Sequence, residues 1–203
     1  MVASNDLNIQ TAGYVTFDGT ATFNGRTFQA GPGITLTNAN GVAGNTTIGL
    51  GGTAAPFVNA YVNTNVTNVT GDGTDYVVIF DQVTADATSS YNSSNGLFIA
   101  PIDGNYLVTA TVMFTSITEA FTFSNVHIAT NGPGNTDFMT QQNPGKIFNI
   151  NNQFSQTVTA NVGITAGTHL TINAMVSGST KSVGITGNSF GIWTFLNIQW
   201  VNP

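Results

Sequence analysis

Two histidines, nine carboxylates and no cysteine are the main groups this 203-residue sequence offers to acid–base or metal chemistry. His127 lies in Ser124-Asn125-Val126-His127-Ile128, which alternates as a strand does, and His169 follows a turn. Proton transfer needs such a group held against partners that tune its acidity, whereas a lone strand histidine ordinarily packs and hydrogen-bonds. No Gly-x-Ser-x-Gly elbow, His-Glu-x-x-His or phosphate loop is present. No enzyme and no catalytic residue is therefore expected. Asp72, Asp75, Asp81 and Asp86 fall within fifteen residues of one another. Oxygen-rich loops can hold calcium, so Asp72, Asp75 and Asp81 are the metal candidates. Their spacing follows no EF-hand, and the plainer expectation is that they cap turns and no cofactor is bound.

Charge is scarce: only 12 residues are Asp, Glu, Lys or Arg (9 + 3), against about a quarter in ordinary soluble domains. The surface must be wetted by neutral groups, and 32 Thr and 25 Asn supply them. Threonine suits strands and asparagine suits turns. Arg26, Lys146 and Lys181 make no basic patch, so neither nucleic acid nor an anionic membrane is an expected partner. The opening Met1-Val2-Ala3-Ser4-Asn5-Asp6 has no basic run or apolar stretch, so a signal peptide and membrane insertion are not expected. Asn45-Thr46-Thr47, Asn65-Val66-Thr67, Asn68-Val69-Thr70 and Asn92-Ser93-Ser94 fit the glycosylation pattern, as chance alone produces in so Asn- and Thr-rich a chain.

These side chains sit on strands, because two-residue alternation recurs and helical periodicity is nearly absent. Tyr106, Val108, Ala110, Val112 and Phe114 share one face; Phe154, Val158, Ala160 and Val162 do the same, as do Leu170, Ile172, Ala174 and Val176. Apolar runs at Tyr76–Phe80 and Gly96–Ala100 add two strands, and Ile192 to Val201 a closing one. Turn clusters such as Gly71-Asp72-Gly73, Asp103-Gly104 and Asn143-Pro144-Gly145 punctuate them, as in a sandwich or barrel. The first fifty residues differ: Val15-Thr16-Phe17-Asp18-Gly19 is echoed by Ala21-Thr22-Phe23-Asn24-Gly25, with a shorter echo at Arg26-Thr27-Phe28. Residues 31–37 and 41–48 suggest a further hairpin. Isolated hairpins are marginal in water, so this segment is expected to meet copies of itself. Residues 1–55 read as a fibrous segment, 56–203 as a head, and Leu50 to Pro56 as the linker.

The head resembles the C1q domain of the C1q/tumour-necrosis-factor superfamily. The likeness rests on Phe80-Asp81, Tyr91, then Gly96-Leu97-Phe98-Ile99-Ala100-Pro101-Ile102-Asp103-Gly104-Asn105-Tyr106, matching Gly-x-Phe-x-Ala-Pro-x-x-Gly-x-Tyr. It continues through Thr165-Ala166-Gly167-Thr168-His169-Leu170 and a terminal Ser189 to Leu196. The resemblance implies a ten-stranded jelly-roll sandwich packed as a homotrimer, with partners bound through loops and subunit grooves and without catalysis. Phe98, Tyr106, Phe114, Trp193 and Phe195 are expected in the core or the trimer interface, since aromatics dominate both. C1q-like trimers can carry calcium near the apex. Animal members usually follow a collagen stalk; here the Phe-(Asp/Asn)-Gly repeat stands instead, and it resembles the short β-repeats of phage and virus fibres.

The expectation is thus a trimeric virion fibre or head-decoration protein at the virion surface. Its head adheres to a host-surface receptor or glycan, and residues 1–55 meet other virion proteins. Two rivals are a purely structural capsid-decorating protein and a secreted, extracellular C1q-like lectin.

Overall fold

The computed structural model describes residues 7–9, 15–17, 34–37, 47–50, 55–130, 138–188 and 191–202. The chain divides into two compact units, Met1–Thr53 and Ala54–Pro203. In the first, β1 (Leu7–Ile9) pairs antiparallel with β2 (Val15–Phe17), and β3 (Ile34–Thr37) with β4 (Thr47–Leu50). Ile34 faces Leu50 and Thr37 faces Thr47, which is the hairpin suggested by residues 31–48. Phe17 lies in β2, which pairs back to β1; Phe23 and Phe28 of the repeat lie outside the described residues.

The second unit carries β5 (Phe57–Tyr61), β6 (Val66–Thr70), β7 (Tyr76–Val77), β8 (Gln82–Asp86), β9 (Tyr91–Asn92) and β10 (Leu97–Ile99). Then come β11 (Gly104–Thr115), β12 (Phe123–Thr130), β13 (Phe138–Gln142), β14 (Phe154–Ile164), β15 (His169–Ser177), β16 (Val183–Ile185) and β17 (Phe195–Asn202). A single 3-10 turn, Pro144–Lys146, is the helix among the described residues. The strands form two sheets. One runs β6-β16-β11-β17-β5-β8, with β14 laddered to β11; the other runs β13-β12-β15-β10-β9, with β7 on β15. Pairing is antiparallel throughout, and β5 and β17, far apart in sequence, lie side by side with Val58 opposite Ile198.

The two-residue period explains the sandwich. Tyr106, Val108, Ala110, Val112 and Phe114 of β11 are all fully buried, while Leu107, Thr109, Thr111 and Met113 between them face outward. Leu170, Ile172, Ala174 and Val176 of β15 are buried too, as are Val126 and Ile128 of β12. Each such aliphatic or aromatic side chain contributes roughly 1.5–3 kcal/mol on leaving water, which is what binds the layers.

Short pieces such as β7 and β9 raise the strand count above the ten expected without changing the two-layer arrangement. The run Tyr76–Phe80 pairs as a strand only at its first two residues. Val78 and Phe80 turn inward instead, the Val78 amide donating to the Ile172 carbonyl at 2.8 Å and the Phe80 amide to the Tyr91 phenol oxygen at 3.0 Å. The closing strand begins at Phe195, three residues later than its apolar run suggests, and leaves Ile192 and Trp193 exposed.

Candidate binding surface

The Gly-x-Phe-x-Ala-Pro motif has a physical basis. Phe98 and Ala100 point into the core from alternate positions, and Gly96 has φ +76°, where a Cβ would sit 2.8 Å from the Val78 carbonyl oxygen. The Tyr106 ring meets Phe98 edge-on at 5.6 Å, and its hydroxyl donates to the Ile102 carbonyl at 2.7 Å across the turn. Phe114 stacks on Phe154 with centroids 5.8 Å apart. Phe98, Tyr106 and Phe114 are thus core residues of the head itself, while Phe195 is half-buried and Trp193 half-exposed on the surface.

Burial pushes the Tyr91 hydroxyl up to about 12, with the Phe80 amide opposing and Asp81 reinforcing the shift. The unfolded phenol ionises near 10.0, so this stabilisation is whole below pH 10 and disappears as the pH passes 12. Urea titrations at pH 8 and at pH 12 should show a loss of about 2–3 kcal/mol in the wild type. A Tyr91→Phe variant should lose distinctly less over the same interval; equal losses would remove Tyr91 as the cause.

The four clustered acids go to four separate places. Asp72 closes a turn through the Thr74 hydroxyl and amide, which hold its carboxyl below the usual range. Asp75 accepts from Asn173 Nδ2 at 2.9 Å and lies 3.5 Å from His127 Nε2. Asp81 accepts from the Asn63 amide at 2.6 Å, and Asp86 from the amides of Thr88, Ser90 and Tyr91. Among the described residues, no three His, Cys, Asp or Glu side chains gather in a way that could hold a metal ion. His127 stands on β12 with Nδ1 3.3 Å from Asn125 Oδ1, and His169 opens β15 opposite Ile99.

What sequence reading did not single out is one sheet face. On β5, β17, β11 and β14 the outward positions run Phe57, Gln199, Leu107 and Asn161 in one row. The next rows are Asn59, Asn197, Thr109 and Thr159, and then Tyr61, Phe195, Thr111 and Thr157. None of these side chains is charged. Threonine hydroxyls pair across the strands, Thr109 with Thr159 at 3.2 Å and Thr111 with Thr157 at 2.8 Å. Leu107 and Phe57 remain more than a third exposed. Hydroxyls that bond one another leave a face with little appetite for water, and it joins at its β5 edge a shallow groove lined by Asn59, Tyr61, Thr84, Ile192, Phe195 and Asn197. The signal was present in the sequence as the outward half of each alternating stripe, where threonine and asparagine predominate and no charge appears, although a solvent face usually carries Lys and Glu.

Two curled antiparallel sheets over one aliphatic and aromatic core, with an uncharged face turned outward, define a two-layered jelly-roll head. Residues 60–160 match the model of the C1q domain. Murine APRIL in crystals at pH 5.0 superposes with a TM-score of 0.52 at 13% identity, over 72% of this chain and 99% of that one. At pH 8.5 it gives 0.51 at 12%, over 72% and 98%. The globular domain of zebrafish complement 1qA gives 0.46 at 14%, over 72% and 97%. No curated protein matches the sequence. The chain carries a C1q/TNF-like jelly-roll head domain.

Proposed function

We propose that three copies of this chain assemble through the uncharged sheet face into an adhesive head on a virion fibre or head-decoration protein. The head binds a host-surface receptor or glycan, and residues 1–55 join it to other virion proteins. The observation that carries this reading is the sheet face of β5, β17, β11 and β14. A row of paired threonines between Phe57, Leu107, Tyr61 and Phe195 suits contact with another neutral surface better than contact with water. C1q/TNF-like domains are typically trimeric and mediate binding, which supports assembly by the same head here. The paired strands of the first unit and the Phe-(Asp/Asn)-Gly repeat support a fibrous base. With so few charges, long-range steering is weak, and hold on a cell comes from several heads engaging together.

Light scattering on the full chain at micromolar concentration should give the mass of three chains, and a stable monomer would sink the reading. Thr111→Arg, between Phe195 and Thr157 in the third row of the face, should reduce that mass to one chain while the circular dichroism stays that of a β-protein, because Thr111 lies on the outer face. Glycan-array and cell-binding measurements on the trimer then decide its role. Specific binding supports adhesion; tight association with capsids and no binding to cells or glycans would replace it with capsid decoration.

A further inference from the structure

Ile150 is 98% exposed and Ile147 53% exposed, on the loop of residues 143–153 that leads into β14. The loop is not slack. The Asn149 side-chain oxygen accepts from the amides of Asn151 and Gln153 at 2.9 and 3.0 Å, and the Asn149 amide donates to the Gln153 carbonyl at 2.8 Å. The Ile117 amide donates to the Asn152 carbonyl at 2.9 Å, and the Gly145 amide to the Phe121 carbonyl at 2.9 Å. Gly145 is wedged so closely that a Cβ would lie 2.5 Å from that oxygen. An aliphatic side chain is therefore held out in water by a turn already in its final shape, so docking it would cost little ordering.

The same chain carries a complement. The groove between β5 and β17 is lined by Tyr61, Ile192 and Phe195 with the amides of Asn59 and Asn197. Within one head the two features cannot meet, since the loop stands on the β14 side of β11 and the groove on the β17–β5 side. They do share a level along the strands. Phe154, just after the loop, is opposite Phe114, and the Met113 amide donates to Thr194 Oγ1 at 3.1 Å, which brings the Ile192 end of the groove to that row. A contact between unlike patches closes into a ring when the rotation relating the copies closes and runs on as a filament when it does not, and a shared level is compatible with closure about an axis along the strands. Charge agrees as well: Lys146, one of only three Lys and Arg residues in the chain, is exposed beside Ile147. Asp81 is exposed directly before Gln82, which pairs with Tyr61 at the groove wall.

Resting on the trimeric reading above, we propose that Ile147 and Ile150 of each head fill the Tyr61–Ile192–Phe195 groove of the next copy, with Lys146 brought to Asp81. Three full-length variants test this by analytical ultracentrifugation over a dilution series: Ile150→Asp, Lys146→Glu, and Lys146→Glu combined with Asp81→Lys. The first two should raise the dissociation constant of the assembly about tenfold or more, and the double exchange should recover most of that loss. Thermal melts should be unchanged for Ile150→Asp under conditions where all proteins are monomeric, because the side chain touches nothing in its own head. If the wild type is itself a monomer, the trimeric reading and this contact both fall. If the wild type is trimeric and Ile150→Asp dissociates no more readily, this contact falls while the trimer stands. A double exchange no better than Lys146→Glu alone would overturn the pairing of Lys146 with Asp81.

Discussion

Phe114→Ala is expected to lower the unfolding free energy of the head by about 3–5 kcal/mol, a large part of the roughly 5–15 kcal/mol that holds a typical domain. Phe114 is fully buried and stacked nearly parallel on Phe154, and it stands where β11 is flanked by both β14 and β16, opposite Phe154 on one side and Ile185 on the other. Truncation leaves a void between three strands that are tied by their backbone ladders, so the walls cannot close over it. Urea titration at one fixed protomer concentration should show a lower midpoint with an unchanged slope. Thr109→Ala on the outer side of the same strand serves as the control, expected within about 0.5 kcal/mol of wild type in the dissociated head. A loss below about 1 kcal/mol for Phe114→Ala would mean that this corner of the core is not packed as described.

Gln156→Glu should be as damaging at neutral pH and much less so in acid. Gln156 is 2% exposed and points from β14 toward the other sheet. Its amide nitrogen donates to the Thr140 carbonyl and hydroxyl on β13, and its oxygen accepts from the Ser124 hydroxyl on β12 at 2.8 Å. The side chain is thus a polar tie between the two layers. Glutamate has the same shape, but its carboxylate replaces a donor facing a carbonyl oxygen and brings an unpaired charge into the core, a loss of about 3–5 kcal/mol at pH 7. Protonation restores a donor, so the carboxyl in the folded head titrates above its unfolded value near 4.3. The variant's stability relative to wild type is therefore greatest below that value and declines as the pH rises through the folded one. A deficit that does not change between pH 4 and pH 7 would show that the site admits water.

The layers were legible because alternation is local. The stripe from Tyr106 to Phe114 states its own inward face, and so does Leu170 to Val176; each is buried as its spacing requires. The motif from Gly96 to Tyr106 was legible for the same reason, since its glycine, aromatic and turn residues act within one short stretch. Contacts between distant segments left no such trace. Gln156 meets Ser124 and Thr140, and His127 meets Asp75, only because particular strands lie together, and periodicity does not say which. Ile192 and Trp193 continue the apolar run of β17 yet stand outside it, because the Thr194 hydroxyl turns inward to the Thr186 carbonyl and interrupts the alternation. The uncharged sheet face was half legible: its residue types were evident, but their coincidence across four strands depends on register.

The neighbours of β17 have a consequence for synthesis. β17 lies between β5 and β11, so the first strand of the head is joined to its longest one only by a segment more than 130 residues downstream of β5. A ribosome therefore releases β5, β11 and β14 well before the strand that connects the first of them to the others. During that interval Val58 and Ala60 have no backbone neighbour on the β17 side, and the nascent chain remains open to chaperones and to mispairing with its siblings. Completion of the head is consequently a late, nearly all-or-none event, and polysomes carrying this message should hold little folded product until the whole of β17, Phe195–Asn202, has left the ribosome.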